Sequence, residues 1–196
     1  MGLLLAKQPV ILRDIVTRNK PPELLEASPK GTVPVLVFDD GRVIEQSLDV
    51  MHWALSRNDP SNLLRLVQPE TSKQIQDLIA MNDREFIPNL EQYRASMRYR
   101  NDDQEQRRKL CETFIKPLEE RLSSHAYFFG DTPSQADYAL MPFISQFARV
   151  DKKWFVTPQY KNIERWLRAH YESSLYTKVM KQYPQWIETG EEFLFE

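Results

Sequence analysis

The sequence predicts a small mixed α/β module followed by an all-helical bundle. Up to Arg57, apolar residues form short runs rich in branched side chains, and proline or glycine ends each run. Beyond Pro69, apolar residues recur every three or four positions, as in helices that share a core. The predicted domains are therefore residues 1–58 and 70–196, and residues 59–69 form the linker.

The composition suits a globular protein. The chain has 196 residues, of which 41% are hydrophobic and 28% are charged, and its formal net charge is -2. Since charges of both signs are interspersed, no single-sign field arises that would favour a phosphate backbone or an anionic lipid surface. We therefore predict neither a nucleic-acid partner nor a membrane. The single cysteine, Cys111, excludes an intrachain disulfide and fits a reducing compartment, so the cytoplasm is the expected location.

The first residues predict the end of a helix and then a strand. Met1–Ala6 is apolar but has no basic leader and is too short for a signal core. We interpret it as the tail of an amphipathic helix whose beginning is missing. Pro9–Ile15 is rich in branched apolar residues, which is typical of a strand buried on at least one face.

The next segment predicts a short helix, a hairpin and a longer helix. Pro21–Ala27 can form the short helix, because proline is tolerated in a first turn. Val35–Phe38 and Val43–Ile44 flank an Asp-Asp-Gly turn, in which glycine supplies the positive φ of a tight hairpin. Ser47 then precedes a helix with an apolar stripe.

The second half of the chain predicts two long helices and three shorter ones. Apolar residues recur at helical spacing from Ile75 to Met97 and from Leu110 to Leu122. Pro117 removes one hydrogen bond of the second helix, so we expect a kink or a break there. The shorter helices are predicted near residues 134–150, 160–170 and 174–182.

A loop with two prolines carries the most specific pattern of the sequence. Residues 28–36 read Ser-Pro-Lys-Gly-Thr-Val-Pro-Val-Leu. This segment resembles the loop Pro-x-Gly-x-Val-Pro that precedes the third strand of the thioredoxin-like domain in glutathione transferases, and the likeness to that family spans essentially the whole chain. The resemblance implies a cis peptide bond between Val33 and Pro34, and strand-like pairing of the Val33 main chain with the cysteinyl part of glutathione.

A second matching pair lies at the start of the following helix. Gln46-Ser47 is similar to the Glu-Ser or Gln-Ser pair that the family places there. Unpaired N–H groups at a helix N-terminus carry partial positive charge, so the resemblance implies that Ser47 binds the γ-glutamyl carboxylate. The alternative is that Ser47 only caps the helix. Lys20 stands where related proteins have a side chain that reaches the glycine end of glutathione, or else it belongs to a mobile surface loop.

A third likeness lies in the helical half. Phe129–Asp137 is similar to the segment Gly-Asp-x-Pro-Ser-x-Ala-Asp of the family. Ser134 and Asp137 have the spacing of a capping box, with aspartate in place of the usual Glu or Gln. We expect this segment to serve folding and assign it no catalytic role.

The resemblance also implies that one strand and the activating residue are absent from this sequence. In the family the first strand is central in the sheet, and a Cys, Ser or Tyr near its end activates the thiol. By alignment Met1 falls within the helix after that strand, so no catalytic residue is assigned. We expect the natural chain to begin about 15 to 20 residues upstream, with a cysteine there as in the omega and beta types. Without that strand, the ladder groups of Pro9–Ile15 and Val35–Phe38 would lack partners.

Isolated cysteine and histidine residues give weaker signals. Cys111 lies in the apolar register of a helix, so we interpret it as a small buried hydrophobe rather than a reactive thiol. The three histidines lack the spacing of metal ligands, so no metal site is predicted. Surface or boundary positions are expected for His52, His125 and His170.

Two groups of side chains on the predicted helices each have two interpretations. Arg94, Arg98 and Arg100 either meet an acidic electrophile or the glycine carboxylate, or form a solvated helix face. The second group either forms an apolar wall of a second-substrate site or packs in the core, and both interpretations are equally good. Its members are Phe86, Tyr93, Met97 and Phe143.

The resemblance implies both a fold and a function. The fold is an α/β thioredoxin-like N-terminal domain without its first strand, followed by an all-α C-terminal bundle, which is the glutathione transferase fold. The activity is binding of glutathione as a substrate, with thiol transfer or conjugation to a small electrophile or a disulfide. The alternative is a non-catalytic binding or regulatory protein of the same fold. A homodimer is also implied. The glutathione contacts would be Val33, Pro34, Gln46, Ser47 and Lys20.

Overall fold

The computed structural model describes residues 1–156 and 158–196 and consists of two compact units. One unit comprises Met1–Ser61 together with Ser174–Glu196, and the other comprises Asn62–Ser173. The segment Ser174–Glu196 therefore belongs to the same compact unit as the first part of the chain. The helical periodicity of the sequence instead predicts that this segment is part of the bundle. The domain limits 1–58, 59–69 and 70–196 stay a prediction.

The first unit is built around two packed helices. Helix α1 covers Gly2–Leu5, and α3, the longer of the two, covers Ser47–Arg57. A Cβ atom on Gly2 would come within 2.8 Å of the Met51 Cα, so only glycine permits this close approach. Ala6 and Ala54 are fully buried. The small residues at this contact therefore let α1 lie directly against α3.

Two separate two-stranded sheets complete this unit. In one, β2 (Leu36–Val37) pairs antiparallel with β3 (Val43–Ile44). Gly41, with φ of +84°, lies in the connecting turn. The predicted hairpin is confirmed, although its first strand is shorter than expected. Helix α2 precedes it over Pro22–Ala27.

The other sheet joins residues that are distant in sequence. Strand β1 (Val10–Leu12) pairs antiparallel with β4 (Phe193–Phe195), with Ile11 opposite Leu194. The guanidinium of Arg13 forms a 2.6 Å ion pair with Glu192 next to this strand pair. The expectation that the ladder groups of Pro9–Ile15 lack partners is therefore wrong for one edge of Val10–Leu12, because β4 pairs with that edge.

The C-terminal part of the first unit also contains two short helices. These are α10 (Ser174–Val179) and α11 (Trp186–Thr189). The N–H of Trp186 donates a 2.8 Å hydrogen bond to the carbonyl of Asp14, and the Arg13 guanidinium lies 4.6 Å from the Trp186 ring centre. These contacts hold the segment against the residues that follow β1.

The second unit is helical. The first predicted long helix is observed as α4 (Pro69–Met81), a π-helical turn (Asn82–Phe86) and α5 (Ile87–Tyr99). Pro88 explains the wider turn, because it has no N–H to donate and its ring would clash with the carbonyl one turn earlier. The other helices are α6 (Gln104–Ser124), α7 (Gln135–Val150), α8 (Lys152–Phe155) and α9 (Lys161–Tyr171).

Proline does not break the second long helix. Pro117 lies inside α6, which continues through it from Gln104 to Ser124. The expected break is therefore absent from this described helix. Within residues 1–156 and 158–196, no helix is both long enough and apolar enough to cross a membrane.

Aromatic side chains form the core of the helical unit. Phe86 stacks on Phe114 with ring centres 4.7 Å apart, and Phe147 meets the Phe86 ring at 6.0 Å. Phe86 and Tyr93 are each only 1% exposed. The core interpretation is therefore correct for these two residues, because no surface of theirs remains for a substrate pocket.

The start of α7 has the predicted capping box. The backbone N–H of Ser134 donates to Asp137 Oδ2 at 2.8 Å, and the Ser134 hydroxyl donates to the same atom at 2.8 Å. Asp137 Oδ1 accepts from the Phe128 N–H at 3.1 Å and from the Trp166 indole N–H at 3.0 Å. Burial raises the pKa of Asp137, and these four donors compensate the buried carboxylate.

Candidate functional site

Glu45 joins the two sequence segments that carry the strongest patterns. Its Oε1 accepts a 2.5 Å hydrogen bond from the Ser28 hydroxyl, and its Oε2 accepts a 2.8 Å hydrogen bond from the Lys30 ammonium. Ser28 is fully buried. The hydrogen bonds from Lys30 and then Ser28 lower the pKa of Glu45, which keeps it ionised at neutral pH. The loop from Ser28 is thereby fixed beside the residues that lead into α3.

The loop turns tightly at Gly31. This residue has φ of +58°, and its N–H donates a 2.8 Å hydrogen bond to the Ser28 carbonyl. A Cβ atom there would lie 2.9 Å from Leu25 Cδ2 and 3.2 Å from the Lys20 Nζ. Glycine is therefore required on both steric and conformational grounds. The same distances place the exposed Lys20 side chain against this loop.

Val33, two residues further on, is an exposed residue whose main chain has no partner among the described residues. The Val33–Pro34 peptide bond is cis, as the resemblance implies. The Val33 residue is 48% exposed. Across the described ranges 1–156 and 158–196, no hydrogen bond uses its N–H or its carbonyl oxygen. Both main-chain groups are therefore available to pair with an extended peptide.

The N-terminus of α3 is open. Gln46 is the N-cap residue, in an extended conformation and without a side-chain capping bond, and Ser47 is the first helical residue. Ser47 is exposed, and neither its N–H nor its hydroxyl forms a hydrogen bond with any residue that the structure describes. The alternative that Ser47 only caps this helix is therefore wrong. Its polar groups remain free at the positive end of the helix dipole.

All five predicted glutathione contacts belong to the first unit. Glu45 fixes the segment of Gln46 and Ser47 relative to the loop of Val33 and Pro34, and Lys20 lies against the same loop. The sequence patterns do not single out Glu45 and Ser28. A complementary pair of charges, Lys30 and Glu45, is the available signal, and it is weak because such pairs are common on surfaces.

This set of groups can hold a charged peptide but contains no thiol. It offers main-chain donors and acceptors, a hydroxyl, an amide and an ammonium. The single thiol of the chain, Cys111, is fully buried, and burial raises its pKa to about 12. Its interpretation as a small hydrophobe agrees with this environment. Among the described residues, no group of three or more His, Cys, Asp or Glu residues is arranged to hold a metal ion.

The histidines occupy two kinds of environment. His52 and His125 are exposed. His170 is 5% exposed, and its ring meets those of Trp166, Tyr138 and Tyr127 edge-on. The predicted surface or boundary position is wrong for His170, because its apolar helical register outweighs its polarity. Burial lowers its pKa to about 4.

Comparison with known proteins connects this architecture to one family. Residues 1–57 match the family described as glutathione S-transferase, N-terminal domain. Residues 101–169 match that described as glutathione S-transferase, C-terminal domain. Glutathione S-transferase omega-1 of Mus musculus is 26% identical over 141 residues, which are 71% of this chain and 57% of that protein. This chain thus spans less than two thirds of the relative's length.

Solved structures of glutathione transferases have the same architecture. A glutathione S-transferase from Pseudomonas fluorescens has a TM-score of 0.61 at 20% identity, covering 79% of this chain and 77% of that one. A mutant of poplar glutathione transferase F1 has a TM-score of 0.70 at 18% identity, covering 91% and 88%. The fold is therefore the glutathione transferase fold, with a thioredoxin-like α/β part and an all-helical part. The chain belongs to the glutathione S-transferase family.

Proposed function

We propose that this protein binds glutathione and either joins the glutathione sulfur to a small electrophile or exchanges the glutathione thiol with a disulfide. The observation that supports the proposal is that Glu45 connects the loop that carries Val33 to the residues that lead into the open N-terminus of α3. A tripeptide with a carboxylate at each end needs both kinds of group. Membership of the glutathione S-transferase family supports the same ligand.

Ser47 would bind the γ-glutamyl carboxylate. Its N–H and hydroxyl have no other partner among the described residues, and a helix N-terminus favours an anion. Gln46 adds an exposed amide one residue earlier. This amide is suited to the polar α-amino end of the γ-glutamyl group.

Val33 and Pro34 would bind the middle of the tripeptide. Main-chain hydrogen bonds to Val33 fix the cysteinyl residue in an extended conformation, as in addition of a strand to a free edge. The glycine carboxylate would then meet the ammonium of Lys20, which lies against the same loop. Each end of the ligand would therefore meet a positive group.

The proposed chemistry uses the sulfur of glutathione itself. The thiol gives its proton to solvent water, the thiolate forms a bond to an electrophilic carbon, and the bond from that carbon to the leaving group breaks with its electron pair going to the leaving group. In the exchange reaction the thiolate attacks one sulfur of a disulfide and releases the other as a thiolate. The binding groups contribute by holding the tripeptide so that its sulfur has a fixed position. A cytoplasmic homodimer completes the proposal, as the family implies.

A non-catalytic glutathione-binding protein is the second candidate. It is favoured by the burial of Cys111, the single thiol of the sequence, whose pKa burial raises to about 12. In this case the protein would bind glutathione or a glutathione-bearing partner without turnover.

Calorimetric titration with glutathione tests the proposal. Ser47→Ala should weaken binding by about tenfold, because one hydrogen bond to a charged group is lost. Ser56→Ala is the matched control, since it removes an exposed hydroxyl near the other end of α3. Absence of binding by the unmodified protein would overturn both candidates. Turnover with a chlorodinitrobenzene supports conjugation, turnover with a mixed disulfide supports thiol transfer, and binding without turnover favours the second candidate.

A further inference from the structure

The second unit contains an open cavity of about 650 Å³. It lies between the C-terminal ends of α5 and α7, and its volume is within the range of small-molecule sites. The residues that line it are Arg94, Met97, Arg98, Gln146, Arg149 and Val150.

Three of the six side chains are guanidinium groups, and none of the described lining residues is acidic. Arg94 donates a 3.1 Å hydrogen bond to the neutral amide of Gln146. Arg149 donates a 3.1 Å hydrogen bond to the carbonyl of Ser145. Arg98 forms neither an ion pair nor a hydrogen bond with the residues that the structure describes. Three positive charges therefore share one cavity without a neutralising carboxylate.

Three other arginines of the same unit form ion pairs with carboxylates. The N···O distances are 2.9 Å for Arg84 with Glu85, 2.7 Å for Arg107 with Asp103, and 2.9 Å for Arg168 with Glu164. What distinguishes Arg94, Arg98 and Arg149 is that all three line one concave surface on which no described carboxylate lies. Like charges that lie together repel, so the arrangement favours a ligand that neutralises them.

We propose that this cavity binds a small organic anion with two or more carboxylate or phosphate groups. The planar guanidinium presents parallel N–H donors that match both oxyanions. Met97 and Val150 supply an apolar surface for the body of the ligand. Arg100 does not line the cavity, and it ends α5 in a left-handed conformation with φ of +56°. The proposed anion contacts are thus Arg94, Arg98 and Arg149.

This site goes beyond the proposed glutathione function and uses none of its residues. The six lining residues all belong to the helical unit, whereas the five proposed glutathione contacts belong to the first unit. Each proposal can therefore fail without the other.

Titration of the full chain with citrate and with pyrophosphate at low ionic strength tests the anion site. At least one of the two anions should bind with a saturable heat or a saturable shift of NMR signals from α5 and α7. Arg98→Gln and Arg149→Gln should each weaken that binding by about tenfold, since each loses a charged hydrogen bond. Arg98→Lys should weaken anion binding by an intermediate amount, because lysine keeps the positive charge and lacks the parallel N–H donors of the guanidinium. Added salt should weaken binding further.

Controls separate a specific site from general attraction. Arg84→Gln removes an exposed charge of the same unit outside the cavity and should change the dissociation constant less than twofold. Ser47→Ala should also leave it unchanged. Preference for citrate would assign the site to carboxylates, and preference for pyrophosphate would assign it to phosphates. Absence of saturable binding by both, or equal losses in Arg84→Gln and Arg98→Gln, would overturn the proposal.

Discussion

The carboxylate of Glu45 and the buried hydroxyl of Ser28 lie 2.5 Å apart. This hydrogen bond connects the loop that carries Val33 to the residues that begin α3. The two halves of the candidate site, which the β2–β3 hairpin already joins, are thus also connected by one side chain that does not itself belong to the predicted contacts.

Glu45→Ala is therefore expected to weaken glutathione binding by about fivefold, although Glu45 need not touch the ligand. Without the carboxylate, the Ser28 hydroxyl and the Lys30 ammonium lose their acceptor and the loop is no longer fixed. The glutathione affinity of Glu45→Gln should lie between those of Glu45→Ala and the unmodified protein, because the amide keeps one hydrogen-bond acceptor but loses the ion pair with Lys30. Calorimetric titration measures the effect.

Glu26→Gln is the control for this change, since it removes an exposed carboxylate of the neighbouring α2. An affinity of Glu45→Ala equal to that of the unmodified protein would show that the loop holds its position without this bond. Amide exchange of the loop residues gives a second measurement that does not depend on the ligand.

Two glycines with positive φ allow a steric effect to be separated from a conformational one. Gly41→Ala adds a methyl group in open space and should cost about 1 kcal/mol through backbone strain alone. Gly31→Ala adds the same strain and a 2.9 Å contact with Leu25, so it should cost about 2 kcal/mol or more. Urea unfolding measures both. Equal decreases in the free energy of unfolding for the two variants would mean that the Leu25 side chain moves aside at no measurable cost.

Asp137 is expected to be one of the most sensitive positions of the chain. Asp137→Ala leaves the buried donors of Ser134, Phe128 and Trp166 without an acceptor, which should lower the free energy of unfolding by about 3 to 5 kcal/mol. Asp137→Asn keeps one accepting oxygen, so its free energy of unfolding should decrease by less. Chemical unfolding monitored by tryptophan fluorescence is the measurement.

Asp131→Asn provides the matched control, because the Asp131 side chain is 86% exposed. It should change the free energy of unfolding by less than about 0.5 kcal/mol. If Asp137→Ala does not fold, Asp137→Asn still tests the claim, since a stability equal to that of Asp131→Asn would contradict it.

His170 should make the protein less stable in acid. Burial lowers its folded pKa to about 4, whereas its ordinary value is 6.5. As pH falls below 6.5 the unfolded chain takes up a proton that the folded chain does not, so stability decreases until pH reaches about 4. The loss is on the order of 3 kcal/mol. Unfolding curves between pH 7.5 and 4 measure it.

His170→Phe should remove this part of the pH dependence, because it keeps an aromatic ring among Trp166, Tyr138 and Tyr127 and cannot be protonated. Asp137 acts in the opposite direction, since its pKa is raised by burial and acid relieves the cost of its charge. The difference between the two proteins isolates His170. Parallel stability curves would contradict its assignment.

Local patterns of the sequence are sufficient for several features of the fold. The Asp-Asp-Gly turn predicts the β2–β3 hairpin, because Gly41 supplies a backbone conformation that few other residues adopt. The spacing of Ser134 and Asp137 predicts the capping box for the same kind of reason, since its hydrogen bonds join residues three apart. Each of these predictions needs only neighbouring residues.

Features that depend on distant residues are not predictable in this way. Strand β4 has only three residues, and nothing in Phe193–Phe195 indicates a partner in Val10–Leu12. The role of Glu45 in the site depends on Ser28, seventeen positions away. The π-helical turn is missed for a different reason: it arises locally at Pro88, but the pattern of buried residues continues through it, so apolar periodicity does not reveal it.

The pairing of Val10–Leu12 with Phe193–Phe195 has a consequence for biosynthesis. A ribosome completes the segment 62–173 before it makes the residues that pair with β1. Until then the edge of β1 is open to other nascent chains, which is a known route to aggregation. The protein should therefore depend more on chaperones during translation than after release.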